Sequence, residues 1–154
     1  MTDVSSNEPQ PQLQLPTVHQ ITEWSTKFQT LLKDKDGRQL FMQFLKDEHN
    51  EENLLFWTEV ESLKTETTDD TDYSTKAKNI HWKYLRAHCA QEVNVTGAVR
   101  LDIERALGEE PVKRDVFDRA QHEVYTMMCR DIYPRFLLSQ LFMDVVNRVS
   151  GDQE

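Results

Sequence analysis

The feature that most constrains the fold is the spacing of the apolar residues, which recur every three or four positions from Val18 onward. This spacing places them along one face of an α-helix and leaves the opposite face polar. No stretch shows the strict alternation, bounded by turn residues, that predicts paired β-strands. The sequence therefore predicts an all-α domain of roughly eight or nine helices.

The apolar stripes locate the helices. We expect breaks at Asp36-Gly37, in a polar loop over 65–72 and in an irregular connector over 91–97. Pro134 should interrupt the helix before it, because proline disfavours a helical conformation at the preceding residue. The stripes are Trp24, Phe28, Leu31 and Leu32; Leu40, Phe41, Phe44 and Leu45; Leu54, Trp57, Val60 and Leu63; Tyr73, Ala77, Ile80, Tyr84 and His88; Phe117, Ala120, Val124, Met127 and Met128; and Leu137, Leu138, Leu141, Phe142, Val145 and Val146.

The two ends of the chain differ in composition from the part between them. Residues 1–17 are rich in Pro, Gln and Ser, and their few apolar groups cannot offset the entropy cost of ordering. The sequence therefore predicts a disordered tail over 1–17, one domain over 18–149 and a frayed C-terminus over 150–154.

Charge and cysteine content limit the partners. The net charge of −9 disfavours nucleic acid, because binding to phosphates depends on clustered Lys and Arg. No apolar run is long enough to insert in a membrane, and two cysteines cannot form a disulfide framework. We expect a reduced, cytoplasmic, monomeric protein, recruited to the inner face of the plasma membrane, if at all, by its partner.

The stretch KDEHNEENLLFW concentrates acids and amides directly before an apolar helix. It does not place ligands at the positions of a calcium-binding EF-hand loop, and no pair of histidines has the spacing of a zinc protease site. The four glycines are isolated, so a phosphate-binding loop is not expected either. We expect no metal and no cofactor.

Two interpretations of this stretch remain open. Asn50, followed by Glu51 and Glu52, is suited to capping the helix that follows, since side-chain oxygens and negative charge both stabilise a helix N-terminus. Capping leaves Glu48, His49 and the amide of Asn53 unexplained. These side chains are equally suited to facing a partner protein.

Several blocks of sequence in a fixed order resemble the regulator of G-protein signalling (RGS) domain. The similarity extends from about Trp24 to Val146. The blocks are Phe41-x-x-Phe44-Leu45-x-x-Glu48-x-x-Glu51-Glu52-Asn53-Leu54-x-Phe56-Trp57, then Glu92-Val93-Asn94-Val95, then Phe117-Asp118-x-Ala120-Gln121, and Asp131-x-Tyr133-x-Arg135-Phe136-Leu137. The resemblance implies a two-lobed bundle of about nine helices.

The resemblance also implies a function. Members of this family accelerate GTP hydrolysis by heterotrimeric G-protein α subunits (Gα), and the implied partner is a GTP-bound Gα of the inhibitory or the Gq type. Gα already holds an arginine finger and a glutamine that orients the attacking water. An activator that orders the mobile switch segments of Gα therefore needs no catalytic group of its own.

The contact residues that the resemblance implies are Glu48, Asn50, Glu52, Asn53, Asn94, Met127, Asp131, Ile132 and Arg135. Asn53 and Asn94 are implied to reach the switch region around the catalytic glutamine. The carboxylates of the set would accept from, or face positive groups on, the switches, and Arg135 would fix Asp131 by an ion pair. The remaining residues, Asn50, Met127 and Ile132, would complete the contact surface.

Two positions depart from the family pattern. Ile132 stands where a serine is common and Thr96 where an acid is common, and both bear on which Gα is preferred. An alternative function is a scaffold of the same fold that binds a peptide or another signalling protein. The joint presence of Glu52, Asn53 and Asn94 with Asp131 and Arg135 favours the activator.

Overall fold

A computed structural model of the protein describes residues 15–151. In that range the chain forms nine α-helices and two π-helical segments and no strand, which confirms the all-α prediction. The helices are α1 (Val18–Thr26), α2 (Phe28–Lys33), α3 (Lys35–Asp47), α4 (Glu51–Glu66), α5 (Asp70–Ile80), α6 (Gly97–Ala106), α7 (Asp118–Met127), α8 (Tyr133–Leu137) and α9 (Gln140–Gly151). The π-helical segments are His81–Leu85 and Met128–Ile132. Most of the predicted tail and the last three residues lie outside the described residues.

The helices divide into two lobes, as expected. In one lobe α1 packs against α2 and α9, α2 against α3, and α8 against α9; in the other, α4 packs against α5 and α7, and α6 against α7. Each lobe has its own aromatic cluster. The ring of Phe136 lies 5.4 Å from Phe41 and 5.0 Å from Phe142, whereas that of Phe56 lies 5.8 Å from Tyr84 and 6.2 Å from Phe117.

The first predicted break is displaced. Lys27 is extended, so the stripe from Trp24 to Leu32 is divided between α1 and α2. The next break is at Asp34, whose side chain accepts from the N–H of Asp36 and caps α3. Gly37 lies inside α3, where a Cβ atom would be 2.9 Å from the carbonyl oxygen of Leu31 and from the indole of Trp24. This glycine permits close packing rather than a turn.

Other predicted boundaries also move. The polar loop is shorter than 65–72, because α4 continues to Glu66 and Asp69 caps α5 by accepting from the N–H of Asp72 at 2.8 Å. The helical stripe does not reach His88, which lies beyond the first π-helical segment and has a φ of 62°. Leu138 does not join the core either, since it is 84% exposed.

The predicted interruption of the helix at Pro134 is wrong, because Tyr133, the residue before the proline, is helical with a φ of −55° and a ψ of −43°. The π-helical segment Met128–Ile132 follows α7, and Pro134 lies in the first turn of α8. Proline is tolerated there because the first N–H groups of a helix have no partner within it. A π-helical turn holds more residues than an α-helical one, and this one joins α7 to α8 with no non-helical residue between them.

Candidate functional site

The junction between α3 and α4 reverses the chain sharply. Asn50 donates its N–H to the carbonyl of Leu45 at 2.8 Å, and His49, with a φ of 60°, adopts the left-handed conformation between them. This is the Schellman type of helix end, and histidine is one of the residues that more often adopt a positive φ. The polar stretch therefore forms a compact turn between two helices.

The capping bond predicted for the side chain of Asn50 is not formed. Asn50 lies at the N-cap position of α4, but its side chain forms no capping hydrogen bond. Instead, Asn53 is only 4% exposed and its Nδ2 donates to the carbonyl of Asn50 at 3.1 Å. Asn53 thus holds the turn from inside, and little of its side chain is available to a partner.

Arg135 joins this junction to α8. Its Nη2 donates to Oε2 of Glu48 at 2.7 Å, and its Nη1 donates to the backbone carbonyl of Asp131 at 2.7 Å. The hydrogen bond that Arg135 donates to Glu48 and the charges of Glu48 and Asp131 outweigh desolvation and raise the pKa of the guanidinium. The predicted ion pair between Arg135 and Asp131 is wrong: Arg135 pairs with Glu48, and the exposed carboxylate of Asp131 bonds to no other described residue.

Asn94 lies in the irregular connector that precedes α6. Its neighbours Val93 and Val95 are 0% and 7% exposed and anchor the backbone, whereas Asn94 itself is exposed. The N–H of Val93 donates to the carbonyl of Tyr84 at 2.9 Å. Within the described part of the chain, no residue hydrogen-bonds the amide side chain of Asn94.

The remaining predicted contacts differ in exposure. Glu52, in the first turn of α4, is partly exposed, and its side chain bonds to no other described residue. Met127 is partly buried against the core. Ile132 is 3% exposed and belongs to the core, so little of its side chain is accessible, and its contact with Gα stays a prediction.

The α3–α4 junction, the connector before α6 and the segment that carries Asp131 all contact or continue α7 and α8. Arg135 attaches the α3–α4 junction to α8, and α4 packs along α7. Thr96 of the connector bonds to Glu123 of α7, about 6 Å along the helix from Met127 at 1.5 Å per residue. Asp131 lies in the π-helical segment that directly follows α7. The amide of Asn94 and the carboxylates of Glu52 and Asp131 therefore lie on elements that pack against α7 or continue it.

Sequence reasoning missed the residues that position this site. Gln121 is 5% exposed and links α7 to α4 through the carbonyl of Trp57 and the side chains of Glu61 and Lys64. Arg100 of α6 fixes the connector by donating to the backbone carbonyls of Leu85 and Val93. Of these two residues only Gln121 belongs to a quoted motif block. The spacing of neighbouring residues could not predict these bonds, because they join residues far apart in the sequence.

Two further classes of site find no support within residues 15–151. No group of three or more His, Cys, Asp and Glu side chains in that range is arranged to hold a metal ion. No helix there has both the length and the apolar character needed to cross a membrane.

The chain is similar to several known proteins. The family model described as "Regulator of G protein signaling domain" matches residues 27–145. Regulator of G-protein signaling 20 of Bos taurus is 38% identical over 135 residues, which are 88% of this chain and 35% of that protein. Regulator of G-protein signaling rgs-2 of Caenorhabditis elegans is 35% identical over 139 residues, which are 90% of this chain and 80% of that protein.

The similarity extends over most of this chain but not over most of every relative. Regulator of G-protein signaling 19 of Rattus norvegicus is 37% identical over 131 residues, 85% of this chain and 59% of its own length. The chain thus spans about a third of the bovine relative's length. Because the matched region includes helices of both lobes and all the quoted motif blocks, the chain belongs to the family of regulators of G-protein signalling.

Proposed function

We propose that this chain is a GTPase-activating protein for Gα subunits of the inhibitory or the Gq type, and that it ends signalling by accelerating GTP hydrolysis. One observation carries the proposal: a regulator of G-protein signalling presents an amide at Asn94 and carboxylates at Glu52 and Asp131 that bond to no other described residue. Polar groups without internal partners are available to a second protein.

The proposed mechanism needs no reactive group from this chain. In Gα the arginine finger acts in cis, a glutamine orients the attacking water, and Mg²⁺ stabilises the phosphates. The slow element is the disorder of the switch segments that carry these groups. An activator that binds the switches in their transition-state geometry lowers the barrier by preorganisation, and each tenfold in rate requires about 1.4 kcal/mol.

The chemistry of the exposed groups suits this task. The amide of Asn94 both donates and accepts, so it can hydrogen-bond the side chain or backbone beside the catalytic glutamine. The carboxylates of Glu52 and Asp131 can accept from switch N–H groups and pair with switch lysines through charge-assisted bonds. Glu48 and Asn50 are proposed to complete the surface, with Met127 as an apolar contact at its edge.

The framework behind these groups supports preorganisation. Arg135 uses both arms of its guanidinium, and Asn53 fixes the turn before α4. We propose that both act by positioning their neighbours, in addition to any contact of their own. One copy of the chain would bind one GTP-bound Gα in the cytoplasm, and Gα would bring it to the membrane.

The test is binding to Gα in different nucleotide states. Purified chain is mixed with an inhibitory-type or a Gq-type Gα loaded with GDP, or with GDP and aluminium fluoride, which imitates the transferring phosphoryl group. A protein that stabilises the transition state binds a mimic of that state more tightly than the ground state. We therefore expect the chain to retain Gα loaded with GDP and aluminium fluoride and not Gα loaded with GDP alone. Single-turnover GTP hydrolysis should accelerate in parallel.

The same experiment distinguishes the scaffold alternative. A scaffold that uses this fold to bind a peptide would show no preference between the GDP and the fluoride forms, and it would leave the hydrolysis rate unchanged. The proposed function would be contradicted if the chain retained the GDP form and the fluoride form equally, for the inhibitory-type and for the Gq-type Gα.

A further inference from the structure

The connector that carries Asn94 has no helical or strand framework of its own. It leaves the first π-helical segment at Leu85 and reaches α6 at Gly97. A segment of this kind holds one conformation only where side chains and backbone bonds fix it. The bonds on either side of Asn94 therefore decide how its amide is presented.

Upstream of Asn94 the connector is fixed by Arg100. Its Nη1 donates to the carbonyl of Leu85 and its Nη2 donates to the carbonyl of Val93 at 3.3 Å. The same guanidinium pairs with Glu92 at 3.2 Å. The connector residues in these bonds all precede Asn94. The residues that follow Asn94 must be fixed by other bonds.

Downstream of Asn94 the connector is fixed by Glu123 of α7. Its Oε2 accepts the N–H of Thr96 at 2.9 Å, and its Oε1 accepts the hydroxyl of Thr96 at 2.8 Å. A threonine at an N-cap position usually caps its own helix, yet Thr96 forms no such bond with α6. Both polar groups of Thr96 are instead directed to one carboxylate on another helix.

We infer that Glu123 is a positioning residue for Asn94: by accepting both the N–H and the hydroxyl of Thr96, it fixes the conformation in which Asn94 meets the switch region of Gα. The inference rests on the proposed function, in which Asn94 is a contact. Glu123 itself has no role in that contact. Its loss reduces the fraction of time that the connector is in the binding conformation, and apparent affinity falls by that fraction.

The inference predicts different effects on affinity and on maximal rate. If Glu123→Ala leaves the connector in its binding conformation about one-tenth of the time, the chain concentration for half-maximal acceleration rises about tenfold. The maximal rate stays within about twofold, because bound Gα selects the correct conformation. Glu123→Gln should restore affinity, since its Oε1 can accept the N–H of Thr96 while its amide donates to the hydroxyl oxygen.

The control is Glu66→Ala, which removes the same charge from an exposed position at the end of α4 and should leave acceleration unchanged. The decisive comparison repeats Glu123→Ala in an Asn94→Ala background. We expect no further rise in the half-maximal concentration there, since the group that Glu123 positions is gone. A rise of the same size in both backgrounds would mean that Glu123 acts without Asn94, and it would overturn the inference.

A second measurement does not involve Gα. The NMR order parameter of the backbone N–H of Asn94 in the full chain should be near that of rigid backbone, about 0.85. It should fall below about 0.6 in Glu123→Ala. An unchanged order parameter would also overturn the inference. Since this readout needs no hydrolysis, it separates a failure of the positioning role from a failure of the proposed function, which would appear as no acceleration by the unaltered chain.

Discussion

At the scale of single residues, burial separates side chains that the sequence places in one class. Asn53 and Asn94 are both amides in quoted motif blocks, yet Asn53 is 4% exposed and holds the carbonyl of Asn50, whereas Asn94 is exposed and unbonded within the described residues. The sequence could predict that both residues matter. It could not predict which one supports the turn, because that depends on the packing around each.

Replacing Asn94 should therefore affect activity and spare stability. Asn94→Ala removes a hydrogen bond made only in the complex, and we expect the chain concentration for half-maximal acceleration of GTP hydrolysis by Gα to rise about tenfold to hundredfold, with a lower maximal rate as well. The melting temperature should change by less than about 2 °C, as for other surface substitutions. Single-turnover hydrolysis and thermal unfolding are the measurements, with Asn79→Ala on α5 as the exposed asparagine control. A lower melting temperature with full activity would make Asn94 structural.

Gly37 gives a second prediction for a single residue. Alanine is normally favoured over glycine in a helix by about 1 kcal/mol, but a Cβ at Gly37 would lie 2.9 Å from the carbonyl oxygen of Leu31 and from Trp24. We expect Gly37→Ala to lower the free energy of unfolding by about 1–3 kcal/mol, measured by denaturant titration. Gly97→Ala, where a Cβ meets nothing within 4 Å, should be neutral or stabilising, and a stabilising Gly37→Ala would contradict the packing described.

At the scale of elements, apolar spacing predicted the helices well and their ends less well. The stripe from Trp24 to Leu32 is real but belongs to two helices, and the break expected at Gly37 is at Asp34. A glycine next to an aspartate resembles a turn in sequence. Here the glycine is required by the indole of Trp24, which approaches from another helix, and sequence spacing carries no information about that approach.

The cap at Asp34 gives a pH-dependent prediction. Burial opposes ionisation of this carboxyl, but hydrogen bonds from Gln20, Trp24 and the backbone N–H groups of Asp36 and Gly37 outweigh it and lower its pKa. A lowered folded-state pKa contributes stability that is complete above the unfolded value of about 3.9 and is lost as the pH falls through the folded value.

Comparison of the chain with Asp34→Asn measures this contribution. The substitution leaves an amide nitrogen facing donors, so we expect a loss of about 1–3 kcal/mol in the free energy of unfolding at pH 7. The difference between the two proteins should decrease below about pH 4, as the aspartate of the unaltered chain becomes protonated. Asp115→Asn, at an exposed position, should cost less than about 0.5 kcal/mol at any pH. A difference that does not depend on pH would contradict the cap.

At the scale of the whole molecule, the order of the motif blocks predicted the family and the two-lobed bundle, both of which are confirmed. The same order could not predict how distant helices are held together within the first lobe. Tyr133 donates its hydroxyl to the carbonyl of Trp24, 109 positions away, and Arg135 reaches Glu48 across 87 positions. Bonds of this length in sequence are fixed only once the helices have packed.

We expect the two lobes to unfold together. Gln121→Met removes the buried bonds to Trp57, Glu61 and Lys64 in one lobe and should cost about 1–3 kcal/mol, or several degrees in melting temperature. The amide NMR signals of Phe41 and Phe56, one in each lobe, should then be lost over the same temperature range, shifted equally. Loss of the Phe56 signal alone would show that the lobes are thermally independent.

The π-helical turn Met128–Ile132 has a consequence for how this chain tolerates changes in length. Such a turn holds one residue more than an α-helical turn would, so deleting a single residue there would convert it to regular helix. The helix that follows would keep about the same rotation about the axis, since a π-helical turn with its extra residue and an α-helical turn without it each complete one turn. The guanidinium of Arg135 would therefore stay within reach of Glu48, so this turn can absorb the loss of one residue where a regular helix could not.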